Sequence, residues 1–185
     1  MKLIKFFILT LTIFSITLIS ACGSNPLSNT DYTGKWIAID SKGNTSKLII
    51  QKQGETYLVT HKDYHFSTSV NLDRKTINFP VILNLMIENL IENQPVQIKD
   101  NVLQLDEGRA GKGTLIYKDG KFTGKPSSAY AEPLTFEKHN PNDTKSIYEK
   151  TKEQFEKYMT TKQPAQDPKF FEYHIVERKI KDINE

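Results

Sequence analysis

Between residues 31 and 139 the apolar residues come mostly in short β-branched or aromatic runs, and turns rich in Gly, Asn and Asp punctuate them. That texture predicts strands joined by tight connections rather than helices. One run covers 35–40 and turns at Lys42-Gly43-Asn44. The next covers 47–52, with Leu48 and Ile50 on one face, and Gln53-Gly54 leads into 56–61. Residues 66–72 alternate, with Phe66, Thr68, Val70 and Leu72 sharing a face, and 76–79 forms another short run. The series resumes at 102–105, 113–118, 121–123 and 134–137. Asp119-Gly120, between Lys118 and Lys121, suits the positive φ of a two-residue hairpin turn. About eight to ten short strands are expected. Their edges are best protected by closure into a small barrel or a strongly curved sheet.

Residues 81–93 break this rhythm. Leu83, Met86, Ile87, Leu90 and Ile91 have helical spacing, and Pro95 stops the run. A short inserted helix covering the sheet is the first expectation, and a buried strand pair the second. After His139 the texture changes again. Asn140-Pro141-Asn142-Asp143 reads as a turn, and Ser146 with Glu149 matches a capping box. Ile147, Thr151, Phe155, Tyr158 and Met159 then form one stripe. After the break at Gln163-Pro164-Ala165-Gln166, Asp167-Pro168 offers a second helix start, with Tyr173, Val176, Ile180 and Ile183 at helical spacing. A last strand over 170–177 is the alternative. The expected fold is mainly β (α+β): an antiparallel meander or β-barrel over 31–139 and a helical region over 140–185.

The first residues read as an address. Lys2 and Lys5 precede an uncharged, mostly apolar stretch over 6–19, followed by Ile19-Ser20-Ala21-Cys22. A basic start, a short apolar run and small residues describe a secretory signal over 1–21. The tetrapeptide resembles the bacterial lipobox. The resemblance implies lipid transfer to the Cys22 thiol, cleavage after Ala21 and acylation of the new terminus. Residue 23 is Gly rather than Asp. The resemblance therefore implies the periplasmic face of the outer membrane in a Gram-negative cell, or the outer face of the plasma membrane in a Gram-positive one. Residues 22–30 read as a flexible tether.

Removing the signal takes two lysines with it, leaving 23 basic against 22 acidic residues. No basic surplus remains for nucleic-acid binding. With a single Cys, the chain has no disulfide framework of its own.

Sequence motifs for chemistry are sparse. Gly108-Arg109-Ala110-Gly111-Lys112-Gly113-Thr114 has the wrong spacing for a phosphate loop and reads as a glycine-rich turn. His61 and His65 flank Asp63 without a third ligand, so structural or surface roles are expected for all four histidines, His139 and His174 included. Asp106-Glu107 lies beside a turn, where solvation is the ordinary explanation. No nucleophile elbow is present. No catalytic, cofactor-binding or metal residue is assigned; the lipidation site is Cys22.

Gly34-Lys35-Trp36 resembles the first-strand motif of lipocalins, which implies Trp36 packed across one end of a barrel. Ser127-Ser128-Ala129-Tyr130 is similar to the inhibitory loop of periplasmic lysozyme-inhibitor lipoproteins, although it lacks their glycine and disulfide. The expected function is a lipid-anchored, non-enzymatic envelope module that binds a small apolar ligand or an envelope protein. The alternatives are an inhibitor or immunity lipoprotein acting against a toxin or hydrolase, and an envelope scaffold component.

Overall fold

Ten strands form one sheet in the computed structural model, which describes residues 30–68, 80–162 and 167–185. They are β1 (Gly34–Ile39), β2 (Thr45–Gln53), β3 (Thr56–Thr68), β4 (Val81–Val96), β5 (Ile98–Lys99), β6 (Val102–Asp106), β7 (Lys112–Lys118), β8 (Lys121–Lys125), β9 (Leu134–Lys138) and β10 (Phe171–Tyr173). Their order is β10-β4-β3-β2-β1-β9-β8-β7-β6-β5. Every ladder is antiparallel except β10 on β4. Thr33–Glu185 forms one compact unit.

The order is that of a meander whose first strand is joined to its ninth. The sheet curls until β4 and β6 come together. There the Gln94 side-chain amide donates to the Asp106 carbonyl at 3.2 Å, and its oxygen accepts from the Asp106 N–H at 3.4 Å. The β7–β8 turn is the expected hairpin: Lys118 faces Lys121, with Asp119 at φ 51° and Gly120 at φ 79°.

Alternation fills the inner face of this barrel-like sheet. Trp36, Leu48, Ile50, Val59, Leu103, Leu105, Leu115, Phe122 and Phe136 are all buried there. Trp36 stands edge-on to Phe122 at 4.9 Å and to Tyr117 at 5.9 Å. The outer face of β2, β3 and β4 is buried as well, which gives β2 an unbroken buried run from Thr45 to Leu48. Tyr64, Phe66, Val81, Leu83 and Leu85 pack there against Ile147, Phe155 and Met159 of α1 (Ile147–Lys162) and Ile183 of α2 (Glu177–Asn184).

The expected helix over 81–93 is corrected. This segment belongs to a 16-residue strand. Val81, Leu83, Leu85 and Ile87 alternate toward the helices. A register shift at Leu90 then turns Ile91 to the inner face, opposite His61, and a second follows near Asn93 (φ 49°). The buried residues keep one parity, and positions 83, 87 and 91, four apart, satisfy a strand's period as well as a helix's; exposed Met86 and half-buried Leu90 complete the apparent helical stripe.

The second expected helix also divides. Asp167 accepts from the Lys169 N–H and caps a single 3-10 turn, Pro168–Phe170; β10 follows, and α2 begins only at Glu177. The capping box is present: Ser146 N–H donates to Glu149 at 2.7 Å, and Glu149 N–H donates back to the Ser146 hydroxyl at 3.2 Å. The expectations over 1–29, 69–79 and 163–166 lie outside the described residues.

Candidate functional site

The end of the sheet away from the start of β1 carries a chain of buried polar groups. Alternation on β2 and β3 places Ser46, His61 and Asp63 on the inner face with Leu48 and Val59. The parity of Leu103 and Leu105 carries Glu107 inward just past β6. His61 Nδ1 hydrogen-bonds to Glu107, and both side chains are fully buried. His61 Nε2 lies 2.5 Å from the Ser46 hydroxyl and 3.1 Å from Asp63 Oδ1. The second contact is a charge contact without hydrogen-bond alignment, so among the described residues Oδ1 has no hydrogen-bond partner. Asp63 Oδ2 accepts from the Tyr130 phenol.

Burial by itself would lower the His61 pKa. The close contacts and negative charges of Asp63 and Glu107 outweigh it and push the value up to about 9. Burial would raise Asp63, but the close contact with the His61 charge holds it below the usual carboxylate range. Burial, then the Asp63 charge, raises the Tyr130 phenol. At neutral pH the imidazolium therefore donates on both sides, to Glu107 and to Ser46. Ser46 and Tyr130 both bear on Asp63.

Ser46, His61 and Glu107 have the connectivity of a nucleophile, base and orienting acid. The protonation state is the wrong one for that task. An imidazolium cannot take a proton from Ser46, and Ser46 is only 2% exposed. What this arrangement supplies is a clamp from β3 to the end of β6, with one cation held between two carboxylates.

Outside the clamp lies a cleft of about 770 Å³. It is bounded by the β1–β2 turn, by Asp63, Tyr64 and His65 of β3, by Glu88 and by residues 129–135. Asp40, Asp63, Glu88 and Glu132 line it together with Lys42, and Tyr130, Pro133 and Leu134 form its apolar part. Asp40 is engaged in its own turn, accepting from the Lys42 and Asn44 N–H groups at 2.8 Å each. Gly43 sits there at φ 81°, and a Cβ on it would lie 2.5 Å from the Phe155 backbone nitrogen. The turn is therefore seated directly on α1.

Most residues singled out in the sequence stay apart. His65 lines the cleft, while His174 is exposed on the far side of β10. The residues 108–114 form a turn whose glycines allow close packing: a Cβ on Gly113 would lie 1.7 Å from the Pro126 carbonyl oxygen. The solvated reading of Asp106-Glu107 holds for Asp106 alone, since Glu107 is buried. Its shared parity with Leu103 and Leu105 was the available signal. Tyr130 is anchored inward on Asp63. Cys22 lies outside the described residues. Among the described residues no helix is long and apolar enough to cross a membrane, and no cluster of His, Cys, Asp or Glu is arranged to hold a metal ion. No protein-family model, no curated protein and no solved structure matches the chain.

Proposed function

We propose that this chain is a lipid-anchored cell-envelope protein, held through Cys22, whose Thr33–Glu185 unit is a non-enzymatic module that binds an envelope protein at the Tyr130 cleft. The observation that carries this reading is the contrast between a filled interior and an open end. Trp36, Phe122 and Phe136 occupy the inner face, which favours a protein partner over an apolar ligand held inside. The cleft combines an aromatic ring, prolyl and leucyl surface and several carboxylates around a rigid floor, and such mixed, pre-formed concavities suit side chains of a partner. The signal-like order of residues 1–22 supports the anchor.

Photocrosslinking in the native envelope tests the reading. A photoreactive residue at Glu132 should capture a discrete partner, and one at exposed Ile116 of β7, outside the cleft, should not. Cys22→Ser should release or mislocalise the protein and abolish the crosslink. Equal capture from both positions argues against a cleft-specific partner.

A further inference from the structure

The ladders place six lysines around the end at which β1 begins. Lys118 faces Lys121 across the β7–β8 turn, and Lys121 is in register with Glu137. Glu137 and Lys138 pair with Ile37 and Trp36, near the start of β1. Lys35 lies beside them, and Lys52 extends past Ile50, the partner of Gly34. Lys99 joins this rim through Val102, which faces Ile116. Lys138 Nζ stands 5.7 Å from the centre of the Trp36 ring, over the end of the packed interior. Four carboxylates share the rim: Glu55, Asp100, Asp119 and Glu137, the last bonded to Lys121 at 2.5 Å. The cleft, toward the opposite end, has the reverse balance, with Asp40, Asp63, Glu88 and Glu132 against Lys42, while Arg109, Lys112 and Lys125 lie at that end outside it.

We propose that the lysine-bearing end rests on an anionic lipid surface and turns the cleft away from it. This rests on the reading that Cys22 carries the lipid. Cys22 is 12 residues before Gly34, a reach of at most about 40 Å. Gly34 lies at the lysine-bearing end, so bringing the cleft end to the membrane would require the tether to run back along strands about 25 Å long. The lipid supplies the attachment, and tethering makes the surface contact intramolecular. A modest excess of positive charge is then enough to select an orientation. Exposed Ile116, 53% accessible and two residues before Lys118 on the same face, meets the same boundary.

The test uses the full-length acylated protein in vesicles of phosphatidylcholine alone or with phosphatidylglycerol, labelled by a membrane-impermeant amine reagent and read by peptide mass spectrometry. Lys118, Lys121 and Lys138 should label several-fold more slowly in the anionic vesicles at low salt, while Lys42 and Lys157 label equally in both. High salt should remove the protection. Lys99→Glu/Lys118→Glu should restore labelling of Lys121 and Lys138 without changing the melting curve. Equal labelling of the rim lysines in both vesicles, or protection of Lys42 instead, overturns the proposal and leaves the anchor standing. Failure to float with either vesicle overturns the anchor, and this proposal with it.

Discussion

The Nδ1 of His61, on β3, bonds to the carboxylate of Glu107, just past β6, and neither side chain reaches solvent. The pair ties together strands that are far apart in the order of the sheet. With Asp63 on its other side, the imidazolium offsets part of the charge that the interior would otherwise hold uncompensated.

His61→Gln should cost about 3–5 kcal/mol in denaturant unfolding at pH 6, because it leaves carboxylates buried without their cation. The folded pKa, about 9, lies above the ordinary 6.5. The stabilisation is therefore complete below about pH 6.5 and is lost as pH rises through about 9. Lys47 has the opposite sign. Burial outweighs the attraction of Asp182 and lowers it to about 8. Its penalty is present below about pH 8 and fades as pH rises toward its ordinary 10.5. Stability of the parent should thus decline between pH 6.5 and 8, and His61→Gln should flatten that decline. An unaltered slope in the variant would refute the assignment.

Trp36→Ala should destabilise by about 3–5 kcal/mol. The ring is 1% exposed and meets Phe122 and Tyr117 edge-on. Urea melts followed by circular dichroism check it, since the variant has no Trp to report by fluorescence. A midpoint equal to the parent's would place the ring outside the packed interior.

Leu85 and Met86 are adjacent and should respond in opposite ways. Leu85 is fully buried under the helices, whereas Met86 is 41% exposed. Met86→Asp should change stability by about 0.5 kcal/mol or less. Leu85→Asp places an unpaired charge in the outer core and should prevent cooperative folding. Thermal melts of the two variants separate a strand from a one-sided helix, which would bury Met86 with Leu83 and Ile87.

A chain ending at His139 should not fold cooperatively. It would uncover Tyr64, Phe66, Leu83 and Leu85 and remove β10 from the edge of β4. The contact most worth testing alone is Asp182, which accepts from Tyr64 at 2.6 Å and from Lys62 at 2.9 Å. Its carboxyl is held below the usual range: the Tyr64 and Lys62 hydrogen bonds and the Lys62 charge outweigh partial burial. Asp182→Ala should cost about 1–2 kcal/mol, less in high salt. A salt-independent loss would point to packing rather than charge.

The β1–β3 run, the β7–β8 hairpin and the Ser146–Glu149 cap were legible because each rests on residues close in sequence. Gly43, Asp119-Gly120 and the capping box act within a few positions. β4 was misread because apolar Ile82, Met86 and Leu90, on the other parity, blur the alternation that its buried residues keep. Glu107 was misread for a related reason. Its burial requires His61, which is distant in sequence and becomes a neighbour only after the sheet has curled. The parity was written in Leu103, Leu105 and Glu107, but its meaning came from the partner. Lys47 is a similar case. Its burial on the outer face is explained by the Asp182 and Ile183 carbonyls near the end of α2.

The change of face along β4 has a consequence for how the molecule comes apart. One continuous strand supplies Leu83 and Leu85 to the layer under the helices and Ile91 to the layer around Trp36. Neither layer can dissolve while that strand keeps its place, and neither keeps its full complement once the strand leaves. The helices and the curved sheet should therefore share a single opening transition, with amide protons of β4 exchanging only through whole-molecule unfolding.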